Sequence, residues 1–433
     1  MLYADDIALV AKTSGELKEL TNRVKSQCEK LKLLISIEKS QIVSPSGEGV
    51  WDIMDDKAEV LSLKSVLSYK YLGTETTLLM STTGSKRQKK CIRTAQRYRY
   101  ACHYVGRTGP DMVDVVLATW NNIAIPTLLS GCEVIPFTEE TIESIESIQV
   151  QLTKRLLNLP KSAPNVCAQT ELGIKPFRLL LYQHQLSFYL RAMHLPKSRW
   201  VSLALEDHLS GLWKSPYMNY IAKVRKKIGM LEMAPSLKYL SKHLESWAVQ
   251  GVNDKLGKLS CVTILPMKKF SREVYVWEGE GTGIMAAFRL GSAGLGNREP
   301  RRGQGAREIW CKLCSGVLNE RHVAFSCSAV EQYRKNETEI TFFRNVCRRQ
   351  NIHEKQAYRR YVTGYDWNGL KVSKNDYTRR GMELKGLVKF WQNLLGTDCT
   401  EIVSFSLITS NPIPFFFLIL DYLVYFYVLS FLF

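Results

Sequence analysis

Two groups of side chains in this sequence have the types and spacing to hold cations. The first is Asp5-Asp6, adjacent carboxylates between the apolar runs Met1-Leu2-Tyr3-Ala4 and Ile7-Ala8-Leu9-Val10. Oxygen ligands gathered in one small volume suit a hard ion such as Mg²⁺, which completes its shell with water and phosphate. Two such ions flanking a phosphodiester stabilise both the attacking and the leaving oxygen. Adjacent acids also cap helices and solvate turns, so the pair by itself is not diagnostic. The second group is Cys311, Cys314, His322 and Cys327, spaced C-x2-C-x7-H-x4-C. Three thiolates and one imidazole match a closed tetrahedral Zn²⁺ site, in which the metal supplies folding energy to a short segment. The other cysteines lack such spacing, and Cys347 reads as a buried thiol.

Cations are in surplus around the second group and in one further stretch. The 433 residues carry 59 Lys and Arg against 41 Asp and Glu, a formal charge of +18. A surplus of this size points to a polyanionic partner. Lys86, Arg87, Lys89, Lys90, Arg93 and Arg97 fall in a run from 85 to 109 that contains no acid, with Tyr98, Tyr100 and Tyr104 interleaved. Arg298, Arg301 and Arg302 lead into the cysteine cluster, and Trp310 precedes its first ligand. Cations neutralise phosphates and aromatic rings stack on unpaired bases, which suits single-stranded nucleic acid. A charge run is also compatible with a merely solvated face.

The elements needed to position these groups are legible from periodicity. The first ten residues read as a β-hairpin with the acids at its tip. Thr13 and Glu16 have capping-box spacing, and Leu17, Leu20, Val24, Cys28 and Leu31 form one face of an amphipathic helix. Ile35, Ile37, Ile42 and Val43 read as strand, and residues 69–74 as a strand ending in a turn. Beyond Thr82 long helical patterns take over. The stretch from Glu139 to Leu157 predicts a helix with a core stripe of Ile142, Ile145, Ile148 and Leu152.

In order, these motifs resemble the reverse transcriptase of non-LTR (LINE-type) retrotransposons. Tyr3-Ala4-Asp5-Asp6, the helix, the segment from Leu31 to Ser40 and then Tyr71-Leu72-Gly73 are similar to consecutive palm motifs. Leu128 to Glu133, Leu156 to Asn165 and Glu171-Leu172-Gly173 resemble the thumb region, and the cysteine cluster resembles the zinc knuckle that follows it. The resemblance covers about residues 1 to 330. It implies RNA-directed DNA polymerisation with Mg²⁺, with Asp5 and Asp6 as catalytic metal ligands and Lys39 near the incoming triphosphate. RNA template and DNA primer are the implied partners, and no small-molecule partner is evident.

The implied fold class is α+β: a partial reverse-transcriptase palm, a mainly α-helical thumb and connector, and a small zinc knuckle. The expected divisions are palm at 1–80, thumb and connector at 81–250 and a Gly/Arg-rich linker at 251–304. The knuckle follows at 305–330, a helical region at 331–400 and an apolar tail at 401–433. Because the chain starts at the hairpin, the fingers and the first palm strand are expected to be missing and the Mg²⁺ site incomplete. A non-catalytic, zinc-dependent nucleic-acid-binding protein is the alternative.

Other functions find less support. No Ser-His-Asp triad can be argued, no Gly-Lys-Ser/Thr phosphate loop occurs, and no Pro-Asp of the nuclease found in some such elements follows Cys327. The N-terminus has no basic stretch and does not read as a signal peptide, and eleven cysteines in this length do not make a secreted scaffold. An intracellular setting, nucleus or cytoplasm, is expected. Phe415 to Phe433 is long enough to cross a bilayer, but Asp421 interrupts it, which weighs against a tail anchor.

Overall fold

The computed structural model describes residues 2–3, 6–11, 13–43, 49–54, 60–71, 74–77, 80–105, 112–157, 159, 161, 163–210, 216–230, 232, 234, 236–258, 267–270, 280–289, 310–316, 318–335, 338–350, 353–362 and 373–394. They form a mainly helical structure with three small sheets, α+β in broad class. Asp5, Arg298, Arg301, Arg302 and the apolar tail lie outside the described residues.

The sheets come first. Strands β1 (Leu2–Tyr3) and β2 (Asp6–Ile7) pair antiparallel, with Tyr3 opposite Asp6. Helix α1 (Ser14–Lys30) begins where the Thr13 hydroxyl accepts the Glu16 N–H at 3.2 Å, and ends before Lys32, whose φ of 57° is left-handed. Strands β3 (Gln41–Val43), β4 (Gly49–Met54) and β5 (Val60–Val66) form a sheet ordered β3-β5-β4. There β3 runs parallel and β4 antiparallel to β5. Strands β6 (Ser68–Tyr71) and β7 (Thr74–Thr77) make a separate hairpin. Ile35 and Ile37, expected in a strand, lie instead in a loop and turn before β3. The expected apolar stripe of α1 is present but not covered, since none of its residues is buried and only Leu17 packs against Ile42 and Leu63.

The helical body begins with α2 (Met80–Val105), which packs against β7 and against α5 (Glu139–Leu156). Between them, α3 (Met112–Thr119) runs through a widened π-turn, Trp120–Ala124, into α4 (Ile125–Leu129). Pro126 explains the widening: it has no N–H for the carbonyl four residues back, and the Ile125 N–H reaches the Trp120 oxygen instead. Helix α5 is capped by Thr138, starts with Glu139 and Glu140 and ends with Lys154 and Arg155, matching the helix dipole at both ends. Its stripe of Ile142, Ile145, Ile148 and Leu152 is buried as its spacing predicts. Helices α6 (Asn165–Leu172), α7 (Phe177–Met193), α8 (Trp200–Leu209), α9 (Pro216–Lys227) and α10 (Leu237–Gly257) complete this body, with α7 packed on α10.

Within the stretch read as a Gly/Arg-rich linker, 251–304, lies helix α11 (Glu280–Arg289), with Met285, Ala286, Ala287, Phe288 and Arg289 all buried. The short apolar run Ile284–Phe288 is hidden in the sequence between flanking glycines and arginines. Arg289 forms a buried ion pair with Glu171 of α6. Helices α12 (Glu331–Lys335), α13 (Thr338–Gln350), α14 (Glu354–Val362) and α15 (Lys374–Leu394) then pack around the metal-ligand segment, and α15 lies along α11. The Tyr358 hydroxyl donates to the Phe288 carbonyl at 3.0 Å. One buried apolar cluster runs through all of this, from Cys91 in α2 to Val388 in α15. Among the described residues no helix is long and apolar enough to cross a membrane.

Candidate metal centre and basic face

The cysteine cluster closes in space as its spacing predicts. The ligand atoms of Cys311, Cys314, His322 and Cys327 all lie within 4.8 Å of one another, an arrangement that can hold a metal ion such as zinc. The Cys314 Sγ is 3.6 Å from the Cys327 Sγ and 3.1 Å from His322 Nε2, and Cys311 Sγ is 3.9 Å from Cys327 Sγ. With Zn–S bonds of about 2.3 Å, the sulfur–sulfur edge of a tetrahedron is about 3.8 Å. The two measured edges bracket that value, so the donor set fits the ion in both chemistry and size. Among the described residues no other group of three or more His, Cys, Asp or Glu converges in this way.

Local backbone chemistry builds the centre from two turns. In the first, the Ser315 N–H donates to the Cys311 carbonyl at 2.9 Å and the Cys311 N–H to Gly316 at 2.7 Å. Ser315 takes a left-handed conformation, φ 58°, which folds the loop back on itself. The second begins at Asn319, whose side-chain oxygen accepts the His322 N–H at 2.8 Å as a helix cap. In an ordinary α-helix a residue five positions on lies about 140° around the axis. Here His322–Ser326 is a π-turn, closed by Cys327 N–H to His322 O at 2.7 Å, so Cys327 swings back toward His322. Gly316 has to be glycine beneath the imidazole, because a Cβ there would sit 2.5 Å from His322 Cε1.

The centre is dry. Cys311, His322 and Cys327 are buried, and Cys314 is half-buried. Burial pushes the Cys327 thiol up to about 12, and the neighbouring Cys314 adds to the shift. At neutral pH this thiol therefore keeps its proton unless a cation replaces it, which ties metal binding to proton release. Arg334, fully buried, donates to the carbonyls of Val323 (3.0 Å) and Cys327 and pairs with Glu331 at 2.8 Å. Beyond the ligands, Phe325 meets Tyr358 and Tyr361 edge-on at 5.6 and 5.9 Å. Arg380 is buried over the rings of Tyr361 and Phe343 and bonds Glu339 at 2.7 Å.

The basic run lies on α2. Lys86, Lys89, Lys90, Arg93 and Arg97 are exposed and, with Thr94 and Arg87, line a cleft of about 420 Å³. Arg87 departs from the expectation that it faces nucleic acid. It is buried, and its guanidinium donates to the carbonyls of Thr127 (3.4 Å), Leu128 (3.2 Å) and Ser130, capping the end of α4. Tyr100 is 55% exposed with Arg99 over its ring at 4.7 Å, and Trp310 is 57% exposed beside Cys311.

Of the residues expected to be catalytic, Lys39 alone has a described side chain. Asp6 occupies the first position of β2, its side chain outside the described set, and Asp5 lies outside altogether. Lys39 is exposed at the end of a turn, where its carbonyl accepts the Tyr69 hydroxyl at 3.2 Å. Sequence reasoning missed Gly316, Asn319 and Arg334. Asn319, three residues before His322, carried a readable cap signal, whereas nothing local marks Arg334 as buried.

Compared with models of known protein families, with curated proteins and with solved structures, the chain matches none of them.

Proposed function

We propose that this chain carries the nucleic-acid-holding thumb and zinc-knuckle region of a non-LTR-type reverse transcriptase, organised by a structural zinc ion, and that its Asp5-Asp6 pair does not by itself support polymerisation. The observation that carries the proposal is the convergence of Cys311, Cys314, His322 and Cys327 within 4.8 Å, in the order and spacing of the family's knuckle. Four protein ligands leave no open position for water, so zinc here is a folding element and not a hydrolytic centre. Its role is to hold the 310–327 segment against α14 and α15, with Trp310 and Lys312 left exposed beside it.

The exposed cations of α2 supply the second contact. Along a helix, Lys86, Lys90, Arg93 and Arg97 advance by about 6, 5 and 6 Å, comparable to the spacing of phosphates along a strand. Contacts of this kind read no bases, and they weaken with salt as counterions are released. Asp5 and Asp6 alone make a poor two-metal site, since that chemistry takes carboxylates from more than one element. Template and primer are therefore held but not joined to nucleotides.

Filter binding across a salt series tests this, using an RNA–DNA hybrid duplex and single-stranded RNA as probes. The expected result is a steep salt dependence, tighter binding of the hybrid, and weaker binding in Cys314→Ser. Binding that ignores both salt and the Cys314→Ser change overturns the proposal. Primer extension with Mg²⁺ is expected to give no product. Incorporation that disappears in Asp5→Ala overturns the claim of inactivity.

A further inference from the structure

We propose that Arg334 is the counter-cation and positioning residue of the metal centre, a role that rests on the four ligands holding zinc. A Zn²⁺ ion with three thiolates and a neutral imidazole carries a net charge of −1, and here it sits among buried side chains. Charge in such surroundings needs a partner. The guanidinium that bonds the Cys327 carbonyl is fully buried, and the ring of the neighbouring ligand His322 is nearly so.

Its hydrogen bonds fall on the turn that carries two of the ligands. One nitrogen donates to the carbonyl of Val323, next to His322, at 3.0 Å, and another to the carbonyl of the ligand Cys327 itself. A π-turn that ends at Cys327 leaves carbonyls without the usual helical partner, and the planar fork of an arginine spans both. Glu331 does not cancel the charge. Its carboxylate accepts from Arg334 at 2.8 Å on one oxygen and from Arg344 at 2.8 Å on the other, so two guanidinia share one acid. The trio is left with one positive charge, equal and opposite to that of the zinc–ligand complex.

The test measures zinc affinity by chelator competition on the full chain, in wild type, Arg334→Lys, Arg334→Gln and Cys314→Ser. Lys keeps the charge and loses the fork; Gln keeps donors and loses the charge. Wild type is expected to bind one zinc, with Lys weaker by up to about tenfold and Gln weaker by about 10–100-fold, the usual range for residues behind a metal ligand. The visible spectrum of the Co²⁺-loaded chain should stay tetrahedral in both, showing that no ligand is lost. Equal affinity in the Lys and Gln chains, or tighter binding by Gln, overturns the charge role while the zinc site stands. Should the Gln chain not fold, the Lys chain decides. Affinity within about tenfold of wild type upholds the role, and a loss of about 100-fold, with the charge still present, overturns it. Wild type that binds no zinc, or Cys314→Ser that binds it as well as wild type, removes the zinc reading itself.

Discussion

The N-terminal sheets and the module around the metal centre treat buried and exposed chemistry in opposite ways. Between residues 2 and 77 the described buried apolar cluster is Ile42 and Leu63 with Leu17 against it. Large apolar side chains there face outward, Leu34 at 99% exposure and Leu31 at 68%. The metal module instead buries even its cations, Arg334 and Arg380, against carbonyls, carboxylates and aromatic faces. Side chains that could do chemistry in the first region stand on elements with little to hold them. In the second they are fixed by their neighbours, and that fixation is what makes a site.

The strongest way to break the contrast is to withhold the zinc that the four side chains are proposed to bind. Structural zinc is worth about 10–16 kcal/mol in small zinc-binding peptides. Chelation, or Cys327→Ser, should therefore abolish hydrogen-exchange protection at the Val323 and Cys327 amides while leaving protection in α5 intact. Retained protection at 323 and 327 would show that the helices alone hold the segment. Next in size is Arg380→Met, which takes the buried partner from Glu339 and leaves it only the exposed Arg379 at 3.3 Å; breaking a buried pair costs about 3–5 kcal/mol, and Arg379 lowers that figure. Denaturant unfolding followed by the near-UV signal of the module should show it.

A third change sharpens the same distinction within one helix. Arg87→Met deprives the end of α4 of its donor and should cost about 1–3 kcal/mol, with the salt dependence of nucleic-acid binding unchanged. Arg93→Ala should do the reverse, leaving the melting temperature alone and lowering the salt slope by about 1. If the two swap effects, the assignment of inside and outside on α2 is wrong.

Acid provides a finer probe. Arg344 first, then Arg334, hold the Glu331 carboxyl down at about 2 from its ordinary 4.5. A carboxylate depressed on folding contributes stability that is fully present above pH 4.5 and is lost as pH falls toward 2. Glu331→Gln should remove this slope, so wild type and variant converge in acid and diverge above it. Parallel stability curves over that interval would rule the pair out as a contributor. The smallest effect is expected at Leu34→Ser, within about 0.5 kcal/mol because nothing covers the side chain. A loss well above that would reveal a covering surface on the sheet region.

How far the sequence could be read follows from how local each feature is. The four metal ligands are legible because they fall between 311 and 327, so short-range geometry alone brings them together. Helix α5 is legible for the same reason: Thr138, the acids after it and the isoleucine stripe all act within the element. Arg87 and Arg334 are not, since a buried arginine in a basic run has the same letters around it as a solvated one. Their burial is decided by carbonyls 41 and 11 residues away. Helix α11 escapes notice because its apolar run is short and flanked by glycine. The amphipathic stripe of α1 misleads in the other direction, because periodicity records a face suited to burial whether or not a partner is packed on it.

The ion pair between Glu171 and Arg289 has a consequence for how this chain can be divided. Its partners are 118 residues apart and nearly inaccessible to water. Separating the chain between them takes from each charge the partner that it has in the buried pair. Helix α6 therefore belongs, thermodynamically, to the same cooperative unit as α11 and the metal module. A segment trimmed to the four ligands and the helices after them inherits an orphaned guanidinium wherever it keeps Arg289. Any portion that keeps this pair intact begins before Glu171 and runs past Arg289.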